Sequence, residues 1–196
     1  MGDINQKLLM NKLIPQIQGP ILEVGSKNYG STITTIRQEY PDLEYTGIDL
    51  SAGDNVDIVM DLETESDKLP QSHYGLIICC SVLEHTKKPW VMAEKLSGLL
   101  KPGGQIFMSV PWVWRYHMYP DDYWRFSPTS LKLLFSDLDW SPVIYSTNTP
   151  QEFVEFIPGS AATDDSVRLV IDLENGYTRN YMPYLMVNAV GTKNVS

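Results

Sequence analysis

Apolar side chains recur at Ile4, Leu8, Leu9, Leu13, Ile14 and Ile17, close to helical spacing, and Gly19-Pro20 ends the segment. An N-terminal helix leaning on a sheet is predicted. The pattern then changes to a short apolar strand, Ile21, Leu22 and Val24, that carries an acid at Glu23. A glycine-bracketed turn from Gly25 to Gly30 follows, then a predicted helix over Ser31 to Gln38 and strands over Tyr45 to Leu50 and Val56 to Met60. Tyr74 to Val82 is nearly continuously apolar, the signature of a central strand buried on both faces of a parallel sheet. Pro89 opens a helix whose Met92, Ala93, Leu96, Leu99 and Leu100 recur at helical steps, and Lys101-Pro102-Gly103-Gly104 is expected to stop it before a strand over Gln105 to Val110. Strands alternating with helices point to an open parallel α/β sheet with right-handed crossovers.

Beyond Val110 the rhythm is lost. An aromatic-rich loop covers Pro111 to Pro128, a helix is predicted near Thr129 to Leu138 and a strand near Val143 to Thr147. An irregular polar stretch leads to a last apolar segment, Tyr184 to Val190, expected to complete the sheet as an antiparallel strand. One domain is expected over 1–196: helix 1–19, cofactor-binding core 20–110, acceptor loop 111–128 and sheet completion 129–196.

The layout from Pro20 to Asp49 carries chemistry. Glycines after a first strand let backbone N–H groups approach a ligand, and a carboxylate about 20 residues on, at the tip of the second strand, can accept both ribose hydroxyls of an adenosine-containing cofactor. Asp49 holds that place, although a turn or helix-capping acid would look the same. A nicotinamide cofactor is disfavoured, because neither G-x-G-x-x-G nor a residue pair suited to hydride transfer is visible.

Composition narrows the partners. A formal charge of −9, with 24 acids against 15 bases, opposes a phosphate-tracking surface, so no nucleic-acid partner is expected. No apolar run of about 20 residues predicts membrane insertion, and Met1 to Lys7 lacks the apolar core of a secretory signal, so a cytoplasmic protein is expected. Adjacent Cys79 and Cys80 point to opposite faces of a strand, which disfavours a disulfide or a shared metal between them. No metal is expected.

Four segments, Ile-Leu-Glu-Val-Gly-Ser (21–26), Tyr-Thr-Gly-Ile-Asp-Leu-Ser (45–51), Ser-Val-Leu-Glu-His (81–85) and Leu-Leu-Lys-Pro-Gly-Gly-Gln-Ile-Phe-Met-Ser-Val-Pro (99–111), stand in the order and spacing of a known family. The chain resembles the class I S-adenosylmethionine-dependent methyltransferases of compact type over about its first 130 residues. The resemblance implies a Rossmann-like, open, mostly parallel seven-stranded sheet with helices on both faces and an antiparallel C-terminal strand. It implies Glu23 facing the amino group of the cofactor's methionine portion, with Gly25, Ser26 and Gly30 shaping the turn around it. Asp49 would hold the ribose with Leu50 beside it, and Asp61 and the Leu62 N–H would meet the adenine. Ser81 to His85 would line the floor beneath the sulfonium. Two departures stand out: the turn is one residue longer than G-x-G-x-G and lacks its middle glycine, and Tyr74-Gly75 replaces the acid common at the start of the fourth strand.

The loop from Pro111 to Pro128 is the second informative feature. Three of five tryptophans and three tyrosines fall between Trp112 and Trp124. Some of these rings will form a satellite core, but flat faces edged by His, Asp and Arg also suit a polyhydroxylated acceptor. Trp112, Tyr116, Tyr119, Tyr123, Trp124 and Arg125 are the expected acceptor contacts. His117 is the first candidate for general base because an imidazole titrates near neutrality, with His85 and Asp122 next. The expected activity is O-methylation of a sugar, glycan or other small polar acceptor. A cofactor-binding scaffold without activity and an N-methyltransferase are the rivals, the latter without the Asn/Asp-Pro-Pro-Tyr/Phe strand tip of enzymes acting on DNA bases or glutamine amides. The exposed loop and terminal strand are also compatible with a homodimer.

Overall fold

The computed structural model describes residues 4–30, 33–118, 120–156, 169–172, 178–181 and 184–195. Helix α1 (Gln6–Leu13) buries Leu9 and Met10 and leads to strand β1 (Ile21–Val24), buried along its whole length. The helix predicted from Ser31 is shorter than expected: a 3₁₀ turn, Ile33–Thr35, runs into the four-residue α2 (Ile36–Glu39), and Ser31 lies outside the described residues. Consecutive β-branched residues disfavour a longer helix here. Strands β2 (Tyr45–Asp49) and β3 (Ile58–Val59), helix α3 (Leu62–Glu65) and strand β4 (Tyr74–Cys80) follow. Helix α4 (Pro89–Leu99) begins on proline, whose missing N–H costs nothing at a first turn.

Strand β5 (Leu100–Val113) is longer than the predicted Gln105 to Val110. The Lys101-Pro102-Gly103-Gly104 segment ends α4 but joins the sheet, with Leu100 opposite Tyr74 and a register shift before Leu76. Gly104 permits this, since a Cβ there would stand 2.7 Å from the Tyr74 carbonyl oxygen. The remaining elements are α5 (Pro128–Leu134), capped by the Ser127 side chain, then β6 (Leu138–Trp140), β7 (Ile144–Ser146), β8 (Phe153–Glu155), β9 (Leu169–Asp172), β10 (Thr178–Tyr181) and β11 (Leu185–Lys193).

Among the described residues the main sheet has nine strands, in the order β3-β2-β1-β4-β5-β11-β7-β8 with β6 also pairing β11. β3, β2, β1, β4 and β5 run parallel, and β11 is antiparallel to β5, as the apolar terminal segment predicts. The seven expected strands become nine because β6 and β8, three residues each, are too short to show alternation. β9 and β10 form a separate hairpin within the stretch expected to be irregular. The sheet is Rossmann-like and carries helices on both faces. Along β4, Ile77 and Cys79 join the cluster of Met92, Leu96 and Leu131 from α4 and α5, while Leu76 and Ile78 join Leu9, Met10 and Ile36 from α1 and α2. Cys79 and Cys80 accordingly sit on opposite sides, Cys79 in the first cluster and Cys80 against the second.

Gly75, found where an acid is common in the resembling family, has a steric reason. A Cβ there would lie 2.5 Å from the Gln18 carbonyl oxygen and 2.6 Å from that of Gly19. The incoming chain therefore packs directly on the backbone at the start of β4. Gly75→Ala is expected to destabilise the protein by about 1–3 kcal/mol, read as a lower urea midpoint at unchanged slope. An unchanged midpoint would mean the 18–19 backbone shifts freely.

Candidate functional site

The chain leaves β1 toward β2 and leaves the neighbouring β4 toward β5 on the other side, so the connections diverge between the C-terminal tips of β1 and β4, which is where open α/β sheets bind ligands. Gly25 sits there at φ +75°, and a Cβ would stand 2.5 Å from Val82 Cγ2. The Gly25 and Ser26 N–H groups both donate to the Ile48 carbonyl, at 2.9 and 3.0 Å, tying the turn to β2. The longer path to Gly30, itself at φ +87°, is stabilised by Asn28, whose side-chain oxygen accepts from the Gly30 N–H at 2.8 Å. Ser26 is buried, with its Oγ lacking a hydrogen-bond partner among the described residues.

Asp49 ends β2 half-buried. Its Oδ2 accepts from the Lys27 N–H at 3.3 Å, and its Oδ1 accepts from the Ser51 N–H at 3.0 Å and the Ser51 hydroxyl at 3.3 Å. Leu50 is 57% exposed, and Val59 and Ile58 beyond it are also exposed, so an apolar surface flanks the carboxylate. Asp61 caps α3 by accepting from the Glu63 N–H at 3.0 Å, and Leu62 is buried. Ser81 leaves β4 at φ +55°, its N–H on the Ser109 carbonyl at 2.8 Å and its Oγ accepting from Gln6 Nε2 at 3.4 Å.

Glu23 is buried and engaged from the β2 side. Its Oε2 accepts from the Tyr45 hydroxyl and from Asn55 Nδ2 at 3.3 Å, and the same Asn55 nitrogen donates to the Ser26 carbonyl at 3.1 Å. Burial outweighs these bonds and pushes its carboxyl up to about 7. The folded state therefore favours the neutral acid below the pKa of the unfolded chain, and this stability is lost as pH rises through about 7. The loss amounts to about 3 kcal/mol. Glu23→Gln is expected to remove that share, giving a flatter stability profile between pH 4.5 and 7 in urea titrations. Parallel profiles would show that Glu23 ionises freely in the fold.

The aromatic loop folds back over the turn that follows β4. The Tyr123 and Trp124 N–H groups donate to the Glu84 carbonyl at 2.8 and 3.3 Å, and Trp124 Nε1 donates to the Thr86 carbonyl at 3.0 Å. Asp122 is clamped by Arg125, whose two terminal nitrogens meet its two carboxylate oxygens, the second at 2.7 Å. These bonds hold the Asp122 carboxyl down at about 2. Arg125 also donates to the carbonyls of Trp114, Arg115 and Trp124, so one guanidinium ties the loop together. Asp122 Oδ2 accepts the His117 backbone N–H at 2.9 Å and stands 3.1 Å from His117 Nδ1.

His85 Nδ1 lies 2.6 Å from the Asp121 carbonyl oxygen, and burial draws its pKa below the usual imidazole value. The His85 and His117 rings meet edge to face with centroids 4.9 Å apart. Beneath them, Glu84 is 1% exposed and burial pushes its carboxyl up to about 8. The three expected catalytic residues are therefore brought together, with Glu84 added. The expected acceptor residues divide. Tyr116 is 68% exposed, Tyr123 donates its hydroxyl to Asp121, and Trp124 faces Trp90, whereas Trp112 packs on Tyr145 against the core. Tyr119 lies outside the described residues.

A family model described as a methyltransferase domain matches the chain from residue 6 to residue 143. The chain belongs to the methyltransferase domain family. A curated relative, a ubiquinone biosynthesis O-methyltransferase of Klebsiella pneumoniae subsp. pneumoniae, is 32% identical over 93 residues, covering 46% of this chain and 38% of its own. The match thus spans less than half the length of that relative. Among solved structures, the YcgJ protein of Bacillus subtilis superposes with a TM-score of 0.64 at 11% identity, covering 98% of this chain and 99% of the other. A SAM-dependent methyltransferase of Archaeoglobus fulgidus gives 0.62 at 14% identity over 95% and 92%. These likenesses show the methyltransferase fold.

Within this methyltransferase domain, sequence reasoning missed Gln6 and Asn55, and it placed Glu84 only within the Ser81 to His85 floor, without a role of its own. Gln6 and Asn55 are polar residues on a helix and in a loop, and only the fold brings them to Ser81 and Glu23. Glu84 had a signal, since it stands inside the Ser-Val-Leu-Glu-His segment, but nothing in one sequence says that it is buried. Among the described residues, no helix is long and apolar enough to cross a membrane.

Proposed function

We propose that the chain transfers a methyl group from S-adenosylmethionine to a hydroxyl of a sugar, glycan or other small polar acceptor. The observation that carries this reading is a pair of features on one sheet edge: Asp49 beside the glycine turn, and the Asp122-held His117 in the loop over Glu84. The residues suit the nucleoside. A half-buried carboxylate with about four lone-pair sites, three of them met by the donors described above, fits ribose hydroxyls that displace the 3.3 Å Ser51 hydroxyl contact. The exposed Leu50 fits a flat base. In this reading Glu23 faces the amino group of the methionine portion, and through Asn55, which holds the Ser26 carbonyl, it also fixes the turn around that portion. Asp61 and the Leu62 N–H remain the proposed adenine contacts.

When bound, S-adenosylmethionine supplies a methyl group on a sulfonium, open to in-line displacement. The protein's part is alignment, which accounts for roughly 7–11 kcal/mol of barrier lowering by proximity, and acceptance of the hydroxyl proton, typically worth about 10²- to 10⁴-fold. The Asp122 carboxylate and the Arg115 carbonyl are both acceptors, so Nδ1 of His117 carries the hydrogen and donates to them, and Nε2 offers the lone pair. The ionised Asp122 stabilises the imidazolium that forms. Tyr116, Tyr123 and Trp124 provide the aromatic walls. The test is a panel of hydroxylated acceptors with S-adenosylhomocysteine release as readout. Release with sugars and not with amines supports the reading, and release with amines alone overturns it. No release despite tight S-adenosylhomocysteine binding would favour the scaffold reading.

A further inference from the structure

Glu84, His85 and His117 each offer one metal-competent atom, and these three atoms lie within 4.8 Å of one another. We propose that the three side chains form a binding site for one divalent transition-metal cation, with coordination positions left open toward the acceptor. The inference rests on the acceptor site of the preceding reading and deepens it: the acceptor would be a molecule able to offer an oxygen ligand to the cation.

Three observations point the same way. First, the donor set of two imidazoles and one carboxylate is the set used by open catalytic sites for zinc or iron, and it leaves room for water or substrate. Second, both histidines already have the outer partners that such ligands use. The Nδ1 of His85 faces the Asp121 carbonyl at 2.6 Å, and the Nδ1 of His117 faces the Asp122 carboxylate at 3.1 Å. Neither oxygen can donate, so both rings carry their hydrogen on Nδ1 and present a bare Nε2, the arrangement that fixes a metal-binding tautomer. Asp122 is in turn held by Arg125.

Third, one oxygen of the buried Glu84 carboxyl is left without a partner. Glu84 is 1% exposed, its Oε2 finds no hydrogen-bond partner among the described residues, and its Oε1 stands 3.8 Å from His85 Nε2, too long for a hydrogen bond. A buried carboxyl oxygen without a partner normally costs about 1–3 kcal/mol. A cation beside it would supply the missing partner. The atoms stand somewhat wider than the roughly 3 Å between ligands around a small cation with bonds of about 2.1 Å, so the rings and the loop would close by a fraction of their present spacing. With the cation in place, the Nε2 atoms of His85 and His117 serve as ligands. The acceptor hydroxyl binds the cation, which lowers its pKa, and its proton leaves to solvent, so the cation takes over the proton-removing role that His117 has in the cation-free site. Imidazole donors favour zinc, copper, iron or nickel over magnesium, and the more weakly held Mn²⁺ serves as a paramagnetic probe of the same position.

The chain's three histidines provide an internal control, because His73 lies at the opposite end of β4, beside Glu44. Substoichiometric Mn²⁺ added to the intact protein is expected to broaden the ring resonances of His85 and His117 and spare His73. Equal broadening of all three, or of none, overturns the site. In parallel, Co²⁺ titration followed by visible absorption is expected to saturate at one ion per chain, with affinity falling at least about tenfold in Glu84→Gln and about 10- to 100-fold in Asp122→Asn. Unchanged Co²⁺ affinity in both variants, with near-ultraviolet circular dichroism showing them folded, also overturns it. S-adenosylhomocysteine binding on the same samples separates the two ideas: its loss from the unaltered protein counts against the methyltransferase reading, whereas retained binding with no selective Mn²⁺ effect counts against the cation site alone.

Discussion

Asp49→Ala is expected to weaken S-adenosylhomocysteine binding at least about 100-fold while leaving the fold intact. The carboxylate ends β2 half-buried, and the donors that now meet it are a backbone N–H and Ser51. Two ribose hydroxyls replacing the weaker of those contacts would form charge-assisted bonds, each worth about 1.5–3 kcal/mol. Alanine removes both acceptors and leaves the Lys27 and Ser51 N–H groups at a half-open edge where water can satisfy them, so stability changes little. Calorimetric titration with S-adenosylhomocysteine reads the loss. Affinity within threefold of the unaltered protein would place the ribose elsewhere.

Asp122→Ala carries the second large effect. It removes the group that orients His117 and the partner that neutralises Arg125, whose other bonds go to the Trp114, Arg115 and Trp124 carbonyls. Turnover with a hydroxylated acceptor is expected to fall about 10²- to 10⁴-fold, the range for loss of general-base catalysis. The folded state is expected to lose about 3 kcal/mol, since a buried ion pair is broken from one side. S-adenosylhomocysteine affinity is expected to hold within about threefold, because the loop meets the acceptor rather than the nucleoside. Unaltered turnover in a folded variant would remove the Asp122–His117 pair from the mechanism.

Much of the core was legible because its physics is local. The unbroken run from Tyr74 marks a strand with a helix layer on each side, and its neighbours alternate between two clusters accordingly. The position of Asp49 at the tip of β2, beside the glycine turn, was legible from its spacing. The edges were not. β6 and β8 exist because β11 and β7 offer them backbone partners, and three residues carry no period of their own. The reach of β5 back to Leu100 depends on Gly104 passing close to Tyr74, a tertiary fact. At the site, the aromatic loop announced itself by composition, but which rings face outward did not follow from spacing. Trp112 points to Tyr145, and Trp124 is anchored on Thr86. Glu84 was hidden because burial of a charged residue runs against every sequence-level expectation and is visible only once the loop lies over it.

A crystal structure of the protein with S-adenosylhomocysteine tests the account most directly. The ribose hydroxyls should lie within hydrogen-bond reach of Asp49, the base against Leu50, and the sulfur should face the Glu84, His85 and His117 cluster beneath the aromatic loop. A nucleoside bound away from Asp49, or a sulfur turned from that cluster, would contradict it.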